Sequence, residues 1–224
     1  MKRDLKGIQF RTAGQFSSVR SGGSEDKKEC RIEGYATTFG EEYVLCDGGE
    51  MRIKEVVDAG AFRSCDMSDT IFQYDHEGRV FARVSNGTLE LKADEHGLHV
   101  EADLSGTEQG RSLYADISGG YITRMSFGFT VSEEEWTTRR AEDGKVERLR
   151  TIKGVGKLYD VSAVSIPAND GTEISARTLF EEQKGILEAE RAAKDAESRK
   201  MEAARLEAKY RLISAEKGEW NHED

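Results

Sequence analysis

The stretch R-M-S-F-G-F-T-V, residues 124–131, alternates large apolar side chains at Met125, Phe127, Phe129 and Val131 with Arg124, Ser126, Gly128 and Thr130. A period of two sustained over this length is the pattern of a half-buried β-strand. It leaves a small hydroxyl, Ser126, in the middle of the face opposite the aromatics. Serine is tolerated on a solvent-facing strand surface, and it is a nucleophile when a general base and an orienting group stand beside it. Which reading applies depends on the rest of the chain.

Outward from this strand, residues 30–167 carry further short alternations: C-R-I-E-G-Y-A, R-V-F-A-R-V, T-L-E-L-K-A and L-H-V-E-A-D-L. N-G and D-E-H-G separate them, and their glycines supply the positive φ that hairpin turns need. A first strand is expected around residues 7–12 and the next around 30–36. The Ser-, Gly- and charge-rich segment 11–28 reads as a loop or mobile link, because it has little apolar surface to bury. Short helices are expected at 57–65 and at 108–119, the second with Leu113, Tyr114 and Ile117 at helical spacing and a stop at Gly119-Gly120.

After Pro167, the only proline, composition shifts to Ala, Glu, Lys and Arg. Residues 174–216 read as a long solvated helix rich in opposite charges three or four apart, with a thin apolar stripe that includes Met201, Leu206 and Tyr210. It is either a solvated tail or a partner-binding or self-associating helix. The chain therefore divides into an N-terminal strand and flexible loop (1–29), a central domain (30–170) and a charged helical tail (171–224). The fold class is α+β, mostly β.

With 224 residues the chain suits one ordinary domain plus an appendage. A formal net charge of −10 argues against a duplex nucleic-acid binder, which needs clustered Lys and Arg. Three cysteines, Cys30, Cys46 and Cys65, are odd in number and lack C-x-x-C spacing, so neither a disulfide framework nor a zinc site is indicated and no cofactor is expected. No run of about 18 apolar residues is present, and no apolar segment follows the initial M-K-R. Neither a membrane partner nor a secretory signal is expected, and the chain should remain in the compartment where it is made.

A serine nucleophile needs a base, and histidine is the usual one. Of the four histidines, His222 lies in the terminal N-H-E-D, His96 in the D-E-H-G turn, and His99 on the polar side of an alternating strand. His76 differs. It ends the run D-T-I-F-Q-Y-D-H, between an apolar strand and a glycine turn, where a scaffold can present a side chain. Among the acidic residues, Asp160 interrupts the apolar run L-Y-D-V-S-A-V. A carboxylate there needs a partner to offset desolvation, which an arginine at a strand edge could also provide.

Taken in order over residues 32–168, six stretches resemble the prohead protease family of tailed bacteriophages, whose fold is similar to the herpesvirus assembly protease, assemblin. They are I-E-G-Y-A-T-T-F-G, E-V-V-D-A-G-A-F, I-F-Q-Y-D-H-E-G-R-V-F-A-R-V, G-L-H-V-E-A-D-L, R-M-S-F-G-F-T-V and L-Y-D-V-S-A-V-S-I-P-A-N. The family carries its nucleophile in M-S-F-G-F and its histidine in N-H-D followed by L-G-R. By position Ser126 matches the nucleophile and His76 the base, with Y-D-H-E and F-A-R as departures from the pattern. Assemblin-like enzymes can use a second histidine after the nucleophile, but none lies between Ser126 and the tail. An acidic residue then takes the third role: Asp160, with Asp75 and Glu77 in reserve.

The resemblance implies an assemblin-like β-barrel with flanking helices. It implies a serine endopeptidase that works as a homodimer inside the procapsid in the host cytoplasm. Its substrates would be the scaffolding region of the major capsid protein, and itself. Oxyanion donors are expected among the backbone N–H groups of residues 167–171 or at Arg124. The competing expectation is a non-enzymatic capsid assembly factor that acts through the helical tail.

Overall fold

The computed structural model describes residues 7–22, 29–165 and 170–219. Two long strands form its spine, β9 (Arg124–Arg140) and β10 (Val146–Val164), paired antiparallel through a turn in which Gly144 takes φ 83°. On the far side of β9 lie β1 (Gln9–Gly22), β2 (Glu29–Thr38), β8 (Gly97–Asp103) and β7 (Leu89–Ala93), in that order. On the far side of β10 lie β4 (Met51–Val57) and then β3 (Tyr43–Gly48). Strand β10 is long enough to serve two partners on one edge, β4 along residues 146–152 and β5 (Ile71–Tyr74) along 160–163, both parallel to it. Strand β6 (Glu77–Arg83) returns from β5 as a hairpin.

The result is mostly β, with one mixed sheet whose path ends at β3 and β7. Among the described residues those two end strands do not bond to each other, so the sheet is not the closed barrel implied by the resemblance. Alternation explains the core: Met125, Phe127 and Phe129 all point to one face of β9, and the last two rings stack with centroids 4.6 Å apart. Phe72, Val161, Leu98 and Val100 join them, and so do Leu113 and Ile117 from α1 (Glu108–Ser118). Each such side chain contributes roughly 1.5–3 kcal/mol on burial. Thr107 caps α1 by accepting a hydrogen bond from the Gly110 N–H at 3.0 Å, so the second expected helix forms where its spacing placed it.

The structure departs from the sequence reading in three elements. Residues 57–65 form no helix. They fold as successive turns with Ala61 N–H bonded to Asp58 O and Cys65 N–H to Phe62 O, which push Ala61 and Phe62 into the core. Of residues 11–28, expected as loop, 11–22 belong to β1, which pairs with β9 up to Gln15 and with β2 from Gln15 to Gly22, and 23–28 lie outside the described residues. The hairpin β9–β10 also extends far beyond Val131, through the polar run that ends at Arg140.

Contacts divide the chain into two units, residues 1–178 and 179–224. The second unit consists of the continuation of α2 (Asp170–Glu219), a helix with Met201, Leu206 and Tyr210 exposed along it. Among the described residues no helix is long and apolar enough to cross a membrane.

Candidate active site

Strand register brings the singled-out residues together. Ser126 on β9 stands opposite Ser162 on β10, and Gly128 stands opposite Asp160. Across the other edge of β10, Asp160 pairs with Ile71 and Ser162 with Gln73 of β5. Ser126, Gly128, Asp160 and Ser162 thus share one face of the sheet, the reverse of the face that carries Phe127. This face is not open to solvent: residues 125–129 are all buried.

His76 reaches this face from the turn between β5 and β6. Tyr74 pairs with Glu77, leaving Asp75 and His76 as a two-residue connection with φ 49° and 60°. Positive φ at both positions is the type I′ geometry, which matches the right-handed twist of a hairpin.

A continuous line of hydrogen bonds results. Ser126 Oγ lies 2.7 Å from His76 Nε2, and His76 Nδ1 lies 2.5 Å from Asp160 Oδ2. A carboxylate can only accept, so Nδ1 carries the proton and Nε2 accepts from the serine hydroxyl. Ser162 Oγ donates to the same Asp160 oxygen at 2.6 Å, fixing the carboxylate from within the strand. The Phe10 ring of β1 packs on the imidazole at 4.4 Å between centroids. This is the arrangement in which a hydroxyl can pass its proton to an oriented imidazole.

Gly128 is required by this packing. A Cβ at that position would stand 2.3 Å from Asp160 Oδ1 and 2.8 Å from the Phe10 ring, closer than any side chain tolerates. The glycine of M-S-F-G-F therefore makes room for the carboxylate bonded to the histidine.

The remaining sequence candidates lie elsewhere. Asp75 turns its carboxylate to Ser165, accepting from its N–H at 2.9 Å and its hydroxyl at 2.8 Å, and Glu77 is exposed. His96 and His99 pack on Tyr35 of β2. Arg124 sits two positions before Ser126 on the same strand face. His222 and residues 167–169 lie outside the described residues. Sequence reasoning passed over Ser162 and Phe10. Ser162 was accessible as the second residue after Asp160 in a strand, hence on its face; Phe10 depends on the β1–β9 register, which no local pattern carries.

None of the curated proteins matches the chain. Among solved structures, the bacteriophage T4 capsid assembly protease, gp21, aligns at 14 % identity with a TM-score of 0.41, over 70 % of this chain and 96 % of that one. The description "Caudovirus prohead serine protease" matches residues 17–185, a span that takes in His76, Ser126 and Asp160. The chain belongs to the family of caudovirus prohead serine proteases.

Proposed function

We propose that the protein is a prohead maturation endopeptidase in which Ser126 is the nucleophile, His76 the general base and Asp160 the residue that orients His76. The observation that carries this reading is the unbroken line Ser126 Oγ, His76, Asp160 in a member of a serine protease family. Ser126 Oγ attacks the scissile carbonyl carbon while its proton passes to His76 Nε2. The tetrahedral species collapses with cleavage of the C–N bond, and Nε2 returns the proton to the departing amine. Water then repeats the sequence on the acyl-enzyme and frees Ser126. Asp160, held by Ser162, stabilises the imidazolium formed in each half. Arg124 is the side chain on this face suited to meet the developing oxyanion. Because Ser126 is only 1 % exposed, a peptide reaches it when the side chains that cover it move aside.

The substrate proposed is the scaffolding region of the phage's major capsid protein, with self-cleavage as a second event inside the procapsid. The charged helix α2 would address the enzyme to capsid or scaffold, or be removed by self-cleavage. The test is co-expression with that capsid protein, wild type against Ser126→Ala, read by intact mass. Shortening of the capsid protein that the variant lowers by about 10⁴-fold or more supports the assignment. Full-length capsid protein in both samples, with folded enzyme present, would overturn it and favour a non-enzymatic assembly factor.

A further inference from the structure

The turn that delivers His76 is built from two consecutive residues in the left-handed region, Asp75 at φ 49° and His76 at φ 60°. Asn-Gly, Asp-Gly and Gly-Gly are the usual pairs in such a turn; Asp75 suits the first position, while a non-glycine residue at the second, His76, is uncommon and is held by its surroundings. Here that hold comes through Asp75. Its N–H donates to Ala163 O at 2.9 Å, and its two carboxylate oxygens accept from the Ser165 N–H at 2.9 Å and the Ser165 hydroxyl at 2.8 Å. All three bonds run to the end of β10, the strand that also presents Asp160 and Ser162. Ala163, which receives the first of them, pairs across with Met125, the neighbour of Ser126. The turn is thereby tied to the strand that holds the histidine's partner.

We propose that Asp75 is a positioning residue. By clamping the β5–β6 turn to Ser165, it holds the His76 ring within hydrogen-bond reach of Ser126 and Asp160 at once. The inference rests on the triad reading and adds a part to it. Asp75 contributes no proton and touches no substrate; it fixes the dihedral angles from which the imidazole projects.

Three variants isolate the clamp. Asp75→Gly removes the carboxylate while suiting the left-handed φ, so the turn still forms. Asp75→Asn keeps an acceptor for the Ser165 N–H and also suits that φ. Ser165→Ala removes one of the two donors and, should Asp75→Gly fail to fold, replaces it. Cleavage of a capsid-derived peptide gives kcat and KM. The downfield Nδ1 proton of His76, observed by NMR in a Ser126→Ala background, reports the bond to Asp160 without turnover. We expect Asp75→Gly to lower kcat by roughly tenfold to a hundredfold with KM little changed, the scale for misplacing a reacting group by about an ångström. The downfield proton should be lost as well, while Asp75→Asn restores both and Ser165→Ala falls between. Unchanged kcat and an unchanged proton in Asp75→Gly would overturn the proposal, and so would Asp75→Asn as impaired as Asp75→Gly. A wild type that cleaves nothing would overturn the protease reading instead, and the NMR arm would still decide on the clamp.

Discussion

At the scale of single residues, the site is governed by what small side chains leave room for. Asp160 can stand beside His76 because Gly128, directly opposite it, has no Cβ to occupy the space of Oδ1. Gly128→Ala should therefore displace the carboxylate or the Phe10 ring and loosen the imidazole. The expected outcome is a fall in kcat of roughly a hundredfold, the loss typical of ångström-scale misplacement. Crowding adds a destabilisation of about 1–3 kcal/mol. Peptide cleavage together with urea unfolding measures both, and an alanine variant with wild-type kcat would show that the space is not needed. Ser126, His76 and Asp160 were each legible in the sequence as a polar residue set where an apolar or turn pattern did not require one. Their joint placement was not, because it depends on the pairing of β5, β9 and β10, which brings His76 to Ser126 and Asp160, 50 and 84 positions away.

At the scale of elements, glycine misleads when its neighbours are unknown. Ser, Gly and charge made residues 11–28 read as loop, yet Gly14 within that segment sits inside β1, paired with Met125, where a Cβ would lie 2.3 Å from Tyr35 O and 2.8 Å from Ala36 O of β2. The glycine is there because two backbones approach closely, and its small size permits order. Gly14→Ala should destabilise by about 3 kcal/mol, the severe end of single substitutions, because backbone atoms cannot step aside. Gly106→Ala, where a Cβ meets no atom within 4 Å, serves as the control and should be neutral or slightly stabilising. Urea midpoints of the two variants settle this, and equal effects would refute the close-approach argument. The same dependence on distant partners explains why residues 57–65 were read as a helix. Their Ala and Phe are buried by turns that lean on β10, with Val155 N–H bonded to Ala61 O, and not by a helical face.

At the scale of the whole β unit, stability rests partly on charges buried inside the sheet. Strand β4 buries Met51, Ile53, Glu55 and Val57, so a carboxylate sits in the core with no exposure. It is met by Arg11 of β1 at 2.5 Å, by Arg150 of β10 at 2.9 Å and by the Tyr43 hydroxyl of β3, which links four strands through one residue. Arg150 also pairs with Glu134 of β9. K-E-V and L-R-T do not reveal this cluster in sequence, because only the assembled sheet brings the countercharges together. Burial, the strongest influence on Glu55, pushes its carboxyl up; Arg11 and Arg150 more than offset this and hold it below the usual carboxylate range. A carboxyl lowered by folding stabilises in full above its unfolded value, about 4.3, and that contribution is lost as the pH falls through the lower folded value. Urea unfolding of the wild type should accordingly show stability declining as the pH is lowered from 5 towards 3 and beyond. Glu55→Gln leaves two buried guanidinium groups without their shared countercharge and should be less stable at pH 7 by about 3–5 kcal/mol. It should also be flatter in the acid range than the wild type, since the group that titrates has gone. A variant as acid-sensitive as the wild type would place the acid transition on the surface carboxylates, such as Asp94, which the backbone N–H groups of the β7–β8 turn and the Tyr35 hydroxyl likewise hold low.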